Sequence, residues 1–233
     1  MPLRSRSRNP ATLSYHALRR AVGIIAMSLP FALASGAILL ALIGPDHALP
    51  QPILQRSISD YYYTPVGNYL VGSLAVIAAF VFCSRGYDLS DEITGYLAGA
   101  STLGVAILPP VNPRGGYTQL QVDIGFAHTG FAALMFLALA YFCLFLFRRT
   151  SPEKRLTRRK RHRNNLYAIC GFTIVISMMG MVSLTLQPVT RVLQPIHPIL
   201  CFESLALMAF GVAWLTKGEG FLKDRPHIHT EAS

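Results

Sequence analysis

The sequence predicts an all-α integral membrane protein, a bundle of six transmembrane helices with both termini in the cytoplasm. Three observations lead to this fold class: few charged residues, a series of long apolar segments, and a strong bias of Lys and Arg towards alternate loops. Of the 233 residues, 52% are hydrophobic and 14% are charged, whereas soluble domains carry about 25% charged residues. The net charge of +10 is concentrated in short stretches between apolar segments, so we expect no nucleic-acid partner.

Six apolar segments are the candidates for the membrane spans. Their approximate bounds are 21–43, 66–83, 93–108, 124–147, 166–186 and 196–216. We expect each to be a helix, because lipid cannot satisfy exposed backbone groups. About 20 residues cross the hydrocarbon core; four segments reach that length, and the second and third are shorter. Pro30 interrupts the first segment, and Pro109 and Pro110 end the third.

The loops between these segments divide the basic residues into two unequal groups. Eighteen of the 21 Lys and Arg residues precede the first segment, follow the sixth, or lie after the second and fourth. The remaining loops hold Arg56, Arg114 and Arg191. Basic loops resist translocation and stay cytoplasmic. The sequence therefore predicts a multi-pass protein of the cell (cytoplasmic or inner) membrane.

The same pattern predicts three parts of the chain. Residues 1–20 are expected to form a basic cytoplasmic segment, 21–216 the transmembrane domain, and 217–233 a cytoplasmic tail. Within the domain, the basic loop 148–165 should set the topology. Its charged stretch 148–163 is expected to contact anionic lipid headgroups.

A few polar residues fall where hydrocarbon is expected, on the side opposite the basic loops. His128 lies about one helical turn inside the fourth segment, and Glu203 about two turns inside the sixth. Ionisable groups at such depth are costly and usually face a partner or a water-filled cavity. With Asp60, which precedes the second segment, they are the candidate catalytic residues of an outward-facing polar cavity. Further residues expected at this cavity are Ser59, Tyr61, Arg114, Arg191 and His197.

Several chemistries fit these residue types. Histidine and carboxylates bind zinc, which makes His128, Asp60, Asp123 and Glu203 the candidate metal ligands and zinc the candidate cofactor. A zinc-bound water would be a nucleophile near neutral pH. Asp123 and His128 are about 140° apart around a helix, however, so they do not share one face well. Alternatively, Glu203 is a general base, or His128 and Glu203 simply hydrogen-bond each other and fix helix register.

Aromatic residues mark the two expected membrane surfaces. Tyr61, Tyr62 and Tyr63 fit an outer aromatic belt, and Trp214 fits an inner one. Glycines are expected to allow close helix packing, notably Gly99 and Gly104 in the third span.

The chain resembles uncharacterised bacterial multi-span membrane proteins that are known as domains of unknown function. The resemblance is carried by Ser57-Ile58-Ser59-Asp60-Tyr61-Tyr62-Tyr63-Thr64-Pro65, by Arg85-Gly86-Tyr87-Asp88, by Glu203 and by Trp214-Leu215-Thr216-Lys217-Gly218-Glu219. In part it is also similar to the CREST superfamily of membrane hydrolases, which implies Ser, Asp and His around zinc. Ser59, Asp60 and His128 match that set, but this chain has six predicted spans where the superfamily has seven, and no paired histidine motif.

The leading functional hypothesis is the handling of a lipid or another amphiphile at the outer cavity, by hydrolysis. One alternative is a small proton-linked transporter or permeation protein, with Glu203 and His128 as the titrating residues. Another is a non-catalytic subunit that assembles or scaffolds other membrane proteins.

Overall fold

The computed structural model describes residues 10–44, 53–83, 88–112, 115–116, 118–149, 157–186 and 196–218. All regular structure within these residues is helical, which confirms the prediction of an all-α fold for this part of the chain. The α-helices are α1 Pro10–Ile43, α2 Gly67–Phe82, α3 Leu89–Ile107, α4 Gln119–Tyr141, α5 Arg158–Leu186 and α6 Pro198–Lys217. A 3₁₀ turn at Ser59–Tyr63 precedes α2, and a π-helical segment at Phe142–Leu146 continues α4.

Four of these helices are long and apolar enough to cross a membrane. The four stretches are His16–Ile43, Gln119–Leu146, Arg158–Leu184 and Pro198–Lys217, and they correspond to the four longer segments predicted from the sequence. Helix α2 is apolar but has only 16 residues. Helix α3 has 19 residues and carries Asp91 and Glu92 in its first turn, where carboxylates suit the positive end of the helix dipole.

The helices pack in a ring that follows the order of the chain. Each helix contacts the next one along the chain, and α6 packs against α1 as well as α5. Neighbouring helices run antiparallel: the space around Gly218, at the end of α6, is filled by Arg19 and Arg20 near the start of α1. Between α3 and α4, Arg149 donates to Asp88 at 2.6 Å and to Asp91 at 3.2 Å. The ring therefore has two ends, one rich in basic residues and the other bearing the segment that leads into α2.

Two helices extend further than the apolar pattern predicted. Helix α1 begins at Pro10 and α5 at Arg158, whereas their apolar segments begin near residues 21 and 166. The helical hydrogen bonds continue through basic turns because backbone pairing does not depend on apolar side chains. Helix α1 also runs unbroken through Pro30, as expected for a single span, because neighbouring helices allow transmembrane helices to keep a proline. Helix α3 ends at Ile107, as Pro109 predicted.

Glycines lie at several of the contacts between neighbouring helices. Gly23 on α1 and Gly211 on α6 face each other, and a β-carbon added at Gly211 would lie 2.7 Å from the carbonyl oxygen of Gly23. The predicted small face of α3 is occupied by aromatic rings, with Phe82 against Gly99 and Phe131 against Gly104. The glycines of α1 and α6 thus let these two helices pack together and complete the ring of helices. Those of α3 leave room for phenylalanine side chains from α2 and α4.

An aromatic core fills the basic end of the ring. Trp214 is 1% exposed and packs against Phe142, Phe147 and Phe210, with ring centroids 5.0 to 5.5 Å apart. The expectation that Trp214 lies in a surface belt is therefore wrong. Because the ring is buried and packs against three other aromatic rings, packing outweighs the usual preference of tryptophan for the membrane surface.

Candidate functional site

The residues 56–60, here called the entry segment, lie between α4 and α6 at the end of the ring opposite the basic residues. On one side, Leu200 of α6 donates its backbone N–H to the carbonyl oxygen of Arg56 at 3.0 Å. Glu203, one turn further along α6, accepts the N–H of Ile58 on Oε2 at 2.5 Å. On the other side, Nε2 of His128 on α4 lies 3.0 Å from Oγ of Ser59. Two helices therefore hold the entry segment by hydrogen bonds from opposite sides.

The ring of His128 is oriented through both of its nitrogens. Its side chain is buried, and Nδ1 lies 2.7 Å from the carbonyl oxygen of Leu108, the residue after α3. A carbonyl oxygen only accepts, so Nδ1 carries the proton. In the neutral ring Nε2 is then an acceptor, and the Ser59 hydroxyl donates to it. This is the arrangement of a serine nucleophile, an imidazole base and a third group that orients the base.

Glu203 and Asp60 bring two carboxyl groups to the same region. Glu203 is partly buried and interacts electrostatically with the carboxylate of Asp60. Burial raises the pKa of Asp60, and the hydroxyl of Ser57 and the charge of Arg56 partly oppose that shift. The Ser57 hydroxyl also accepts the backbone N–H of Asp60 at 3.0 Å. Ser57 therefore holds the turn that presents Ser59.

A small cavity opens beside the Ser59–His128 pair. Its volume is about 30 Å³, room for about two water molecules. Ser59, His128 and Glu203 reach it, and apolar side chains from α2, α3, α4 and α6 form most of the remaining wall. The polar cavity expected from the sequence is thus a small and mainly apolar one.

The other sequence-predicted residues take different positions. Asp123 is exposed and accepts a hydrogen bond from the side chain of Gln119 at 3.0 Å, so it does not join the Ser59–His128 pair. His197 is the residue before α6 and has a left-handed backbone with φ 45°. Tyr61 is fully buried and does not fit a surface belt, and Tyr62 lines the cavity in its place. Arg114 and Arg191 lie outside the described residues.

The described ranges contain no group of three or more His, Cys, Asp or Glu side chains that could hold a metal ion. His128 would also have to give up a hydrogen bond to ligate one, since both of its nitrogens are engaged. Zinc therefore finds no support in this part of the chain. Nor do His128 and Glu203 hydrogen-bond each other there, because each binds a neighbouring residue of the entry segment instead.

Two carbonyl acceptors of this site were missed by the sequence reasoning. Leu108 accepts from His128, and Pro110 accepts from the hydroxyl of Tyr63 at 2.6 Å. The proline pair at 109 and 110 could have indicated them, because it marks the end of α3. Where a helix ends, the last carbonyl groups have no intrahelical partner, and they become acceptors for neighbouring side chains.

Comparison of the chain with protein-family models, curated proteins and solved structures finds no match. The two resemblances drawn from the sequence therefore stay predictions.

Proposed function

We propose that the chain is a six-span protein of the cell (cytoplasmic or inner) membrane, with both termini in the cytoplasm, that hydrolyses a lipid or another amphiphile. The antiparallel order of the helices and the 18 basic residues on one set of loops support this topology. Helix α2 would extend over about 24 Å at 1.5 Å per residue. The 3₁₀ turn Ser59–Tyr63 precedes its outer end, so the bilayer would thin locally from the roughly 30 Å of an average hydrocarbon core to match this helix.

The observation that carries the hydrolase proposal is the Ser59–His128 pair. The Ser59 oxygen attacks the carbonyl carbon of an ester or amide while its proton passes to Nε2 of His128. When the tetrahedral intermediate collapses, that proton goes to the leaving alkoxide or amine, and an acyl-Ser59 intermediate remains. Water, deprotonated by the same nitrogen, then releases the carboxylic acid and restores Ser59.

The surrounding residues have positioning roles in this proposal. The carbonyl of Leu108 keeps the His128 proton on Nδ1, so that Nε2 faces the serine. Glu203 fixes the backbone of Ile58, directly before the nucleophile. Asp60 lies directly after Ser59, and the Ser57 hydroxyl accepts its backbone N–H at 3.0 Å, which fixes the turn on the other side of the nucleophile.

The apolar wall beside the pair supports an amphiphilic substrate. Leu70, Leu74, Val105 and Met135 line the cavity that Ser59 and His128 reach. An alkyl chain fits the chemistry of this wall but not its present volume of about 30 Å³. Binding therefore requires these side chains to move, which the unbranched Met135 can do at low cost.

A fluorophosphonate probe tests this proposal without knowledge of the substrate. We expect the wild-type protein in membranes to be labelled, and Ser59→Ala to lose at least nine-tenths of the label. His128→Gln should react at least tenfold more slowly, because the nucleophile loses its base. Ser183→Ala is the control, since Ser183 is exposed on α5, donates to the carbonyl oxygen of Met179 within its own helix and lies outside the site. Absence of labelling in folded wild type, or equal labelling of Ser59→Ala, would refute the proposal.

A second candidate function, proton-linked transport, is favoured by the proximity of Glu203 and Asp60. Two neighbouring carboxyl groups in a low-dielectric region favour sharing one proton, which suits a proton carrier. This candidate predicts uptake into proteoliposomes that depends on a pH gradient and is abolished by Glu203→Gln. Gradient-independent uptake, or none, would count against it.

A further inference from the structure

Basic side chains from three helices gather at the end of the ring opposite the entry segment. Arg19 lies on α1, Lys160 and Arg163 lie near the start of α5, and Lys217 ends α6. The charges of the other three residues act on the Lys217 ammonium, as does the opposite charge of Asp91. We call these four residues the basic cluster.

Phe147, just after the π-helical segment, is the point on which two of these side chains converge. The Lys160 ammonium donates to the carbonyl oxygens of Phe147 at 3.5 Å and of Arg149 at 3.2 Å. The Lys217 ammonium lies 5.3 Å from the centroid of the Phe147 ring, a cation–π distance. Two ammonium groups from α5 and α6 are therefore held against one residue.

Tyr167 places the two arginines in the same region. Its buried ring packs edge-on against Phe147, with centroids 5.4 Å apart, and its phenol lies within electrostatic reach of Arg163 and Arg19. The ends of α1, α5 and α6 thus bring four cationic groups close to the Phe147–Tyr167 pair.

Such a concentration of positive charge is unfavourable without a counter-charge. Like charges a few ångströms apart repel one another, and they repel more strongly at the effective dielectric of a protein surface than in bulk water. Asp91 is one carboxylate that acts on the cluster, and Arg149 also donates to it at 3.2 Å. The four cationic groups together create a region of positive potential, which attracts an anion.

We propose that the basic cluster binds a phosphate group, presented by the headgroup of an anionic lipid or by free phosphate. Lys and Arg from several helix ends give the mixture of point charges and forked donors that phosphate oxygens require. Basic pockets between transmembrane helices are known to take anionic headgroups. A phosphate bound here would join α1, α5 and α6 and so would stabilise the closure of the ring. The proposal is independent of the chemistry at Ser59.

The test uses the full chain purified in detergent and compares added phosphatidylglycerol, phosphatidylcholine and inorganic phosphate. We expect phosphatidylglycerol to raise the midpoint of thermal unfolding, and one or two of its molecules to remain bound in native mass spectra. A similar rise with millimolar inorganic phosphate would identify a site for free phosphate. A rise with phosphatidylglycerol alone would identify a headgroup site. An equal response to phosphatidylcholine and phosphatidylglycerol, with none to phosphate, would overturn the proposal.

A matched pair of double variants separates the cluster from general charge. Lys160→Ala with Arg163→Ala removes two cluster residues, and Arg158→Ala with Arg161→Ala removes the same charge at the same spacing from exposed positions of α5. We expect the first pair to lose more than half of the anion-dependent shift and the second to keep it. Equal losses in both would refute a specific site. If the first pair does not fold, Lys217→Gln on α6 must show the reduced shift, and Lys160→Arg with Arg163→Lys must retain it.

Discussion

Glu203 and Ile58 are 145 residues apart in the chain, yet the carboxylate of the first accepts the backbone N–H of the second. This bond ties the last helix of the ring to the segment that leads into α2. Together with the bond from Leu200 to Arg56, it fixes the depth at which Ser59 is presented to His128. The ionisable residue of α6 therefore has a structural partner whatever its role in chemistry.

The first prediction follows from that bond. Glu203→Ala leaves the buried N–H of Ile58 without an acceptor and should lower the free energy of unfolding by about 1–3 kcal/mol. Glu203→Gln keeps an acceptor oxygen and should lose less than half as much. Reversible unfolding in mixed micelles measures both values. Equal destabilisation by the two variants would show that the negative charge, rather than the accepted hydrogen bond, matters.

The second prediction concerns His128 as a structural residue. His128→Phe has a similar shape but removes both hydrogen bonds of the ring, and the loss should destabilise the fold by about 1–3 kcal/mol. His162→Phe, at an exposed position of α5, is the control and should change stability by less than about 0.5 kcal/mol. If the two variants unfold alike, the bonds to Leu108 and Ser59 contribute nothing measurable.

The third prediction tests the contact between Gly23 of α1 and Gly211 of α6. A methyl group at Gly211 would meet the carbonyl oxygen of Gly23 at 2.7 Å and the backbone nitrogen of Met27 at 3.0 Å. Gly211→Ala should therefore force α1 and α6 apart and destabilise the protein by about 1–3 kcal/mol. Gly72→Ala on α2, where nothing lies within 4 Å, should be neutral or slightly stabilising. A stable Gly211→Ala would mean that this crossing can widen freely.

The fourth prediction concerns how the midpoint of thermal unfolding falls at acidic pH. The Arg149 guanidinium, with Ser90 and the Asp91 amide, lowers the pKa of Asp88 from 3.8 to about 2. A lowered carboxyl pKa stabilises the fold above its unfolded value, and that contribution is lost as the pH falls from about 3.8 to about 2. Asp88→Asn should flatten the fall of the unfolding midpoint across this window.

Glu92→Gln is the control for the pH profile of Asp88→Asn. It removes a carboxylate from the same helical turn but leaves the bonds of Arg149 to Asp88, Ser90 and Asp91 in place. Its pH profile should follow that of the wild type. An Asp88→Asn profile that also follows the wild type would exclude the Arg149 pair as a source of acid sensitivity.

The features that could be predicted from the sequence are those that depend on neighbouring residues in the chain. Long apolar segments located the helices, and Pro109 located the end of α3, because both depend on neighbouring residues alone. The start of α1 at Pro10 was missed because an apolar pattern marks what lipid covers, not where backbone hydrogen bonds stop. Likewise, Tyr61 and Trp214 were assigned to the membrane surface from residue type, and only the packing of distant helices buries them.

The site was predicted in part for the same reason. The depth of His128 and Glu203 in apolar sequence pointed to polar partners, and both have them. Their partners are a backbone amide, a backbone carbonyl and a serine from other elements, which no spacing within one helix specifies. Asp123 was grouped with them by proximity in sequence, but five residues turn it to the exposed face of α4.

The ring is completed by the contact between its first and last helices, and this has a consequence for how the protein is made. A chain emerges from the ribosome N-terminus first, so α1 enters the membrane long before its partner α6 exists. Until then the glycine face around Gly23 is open to lipid, and the Ile58 amide lacks its acceptor. A nascent chain that stalls before residue 203 thus lacks the carboxylate that accepts the Ile58 N–H, and its entry segment is held to α6 by neither of the two bonds described above.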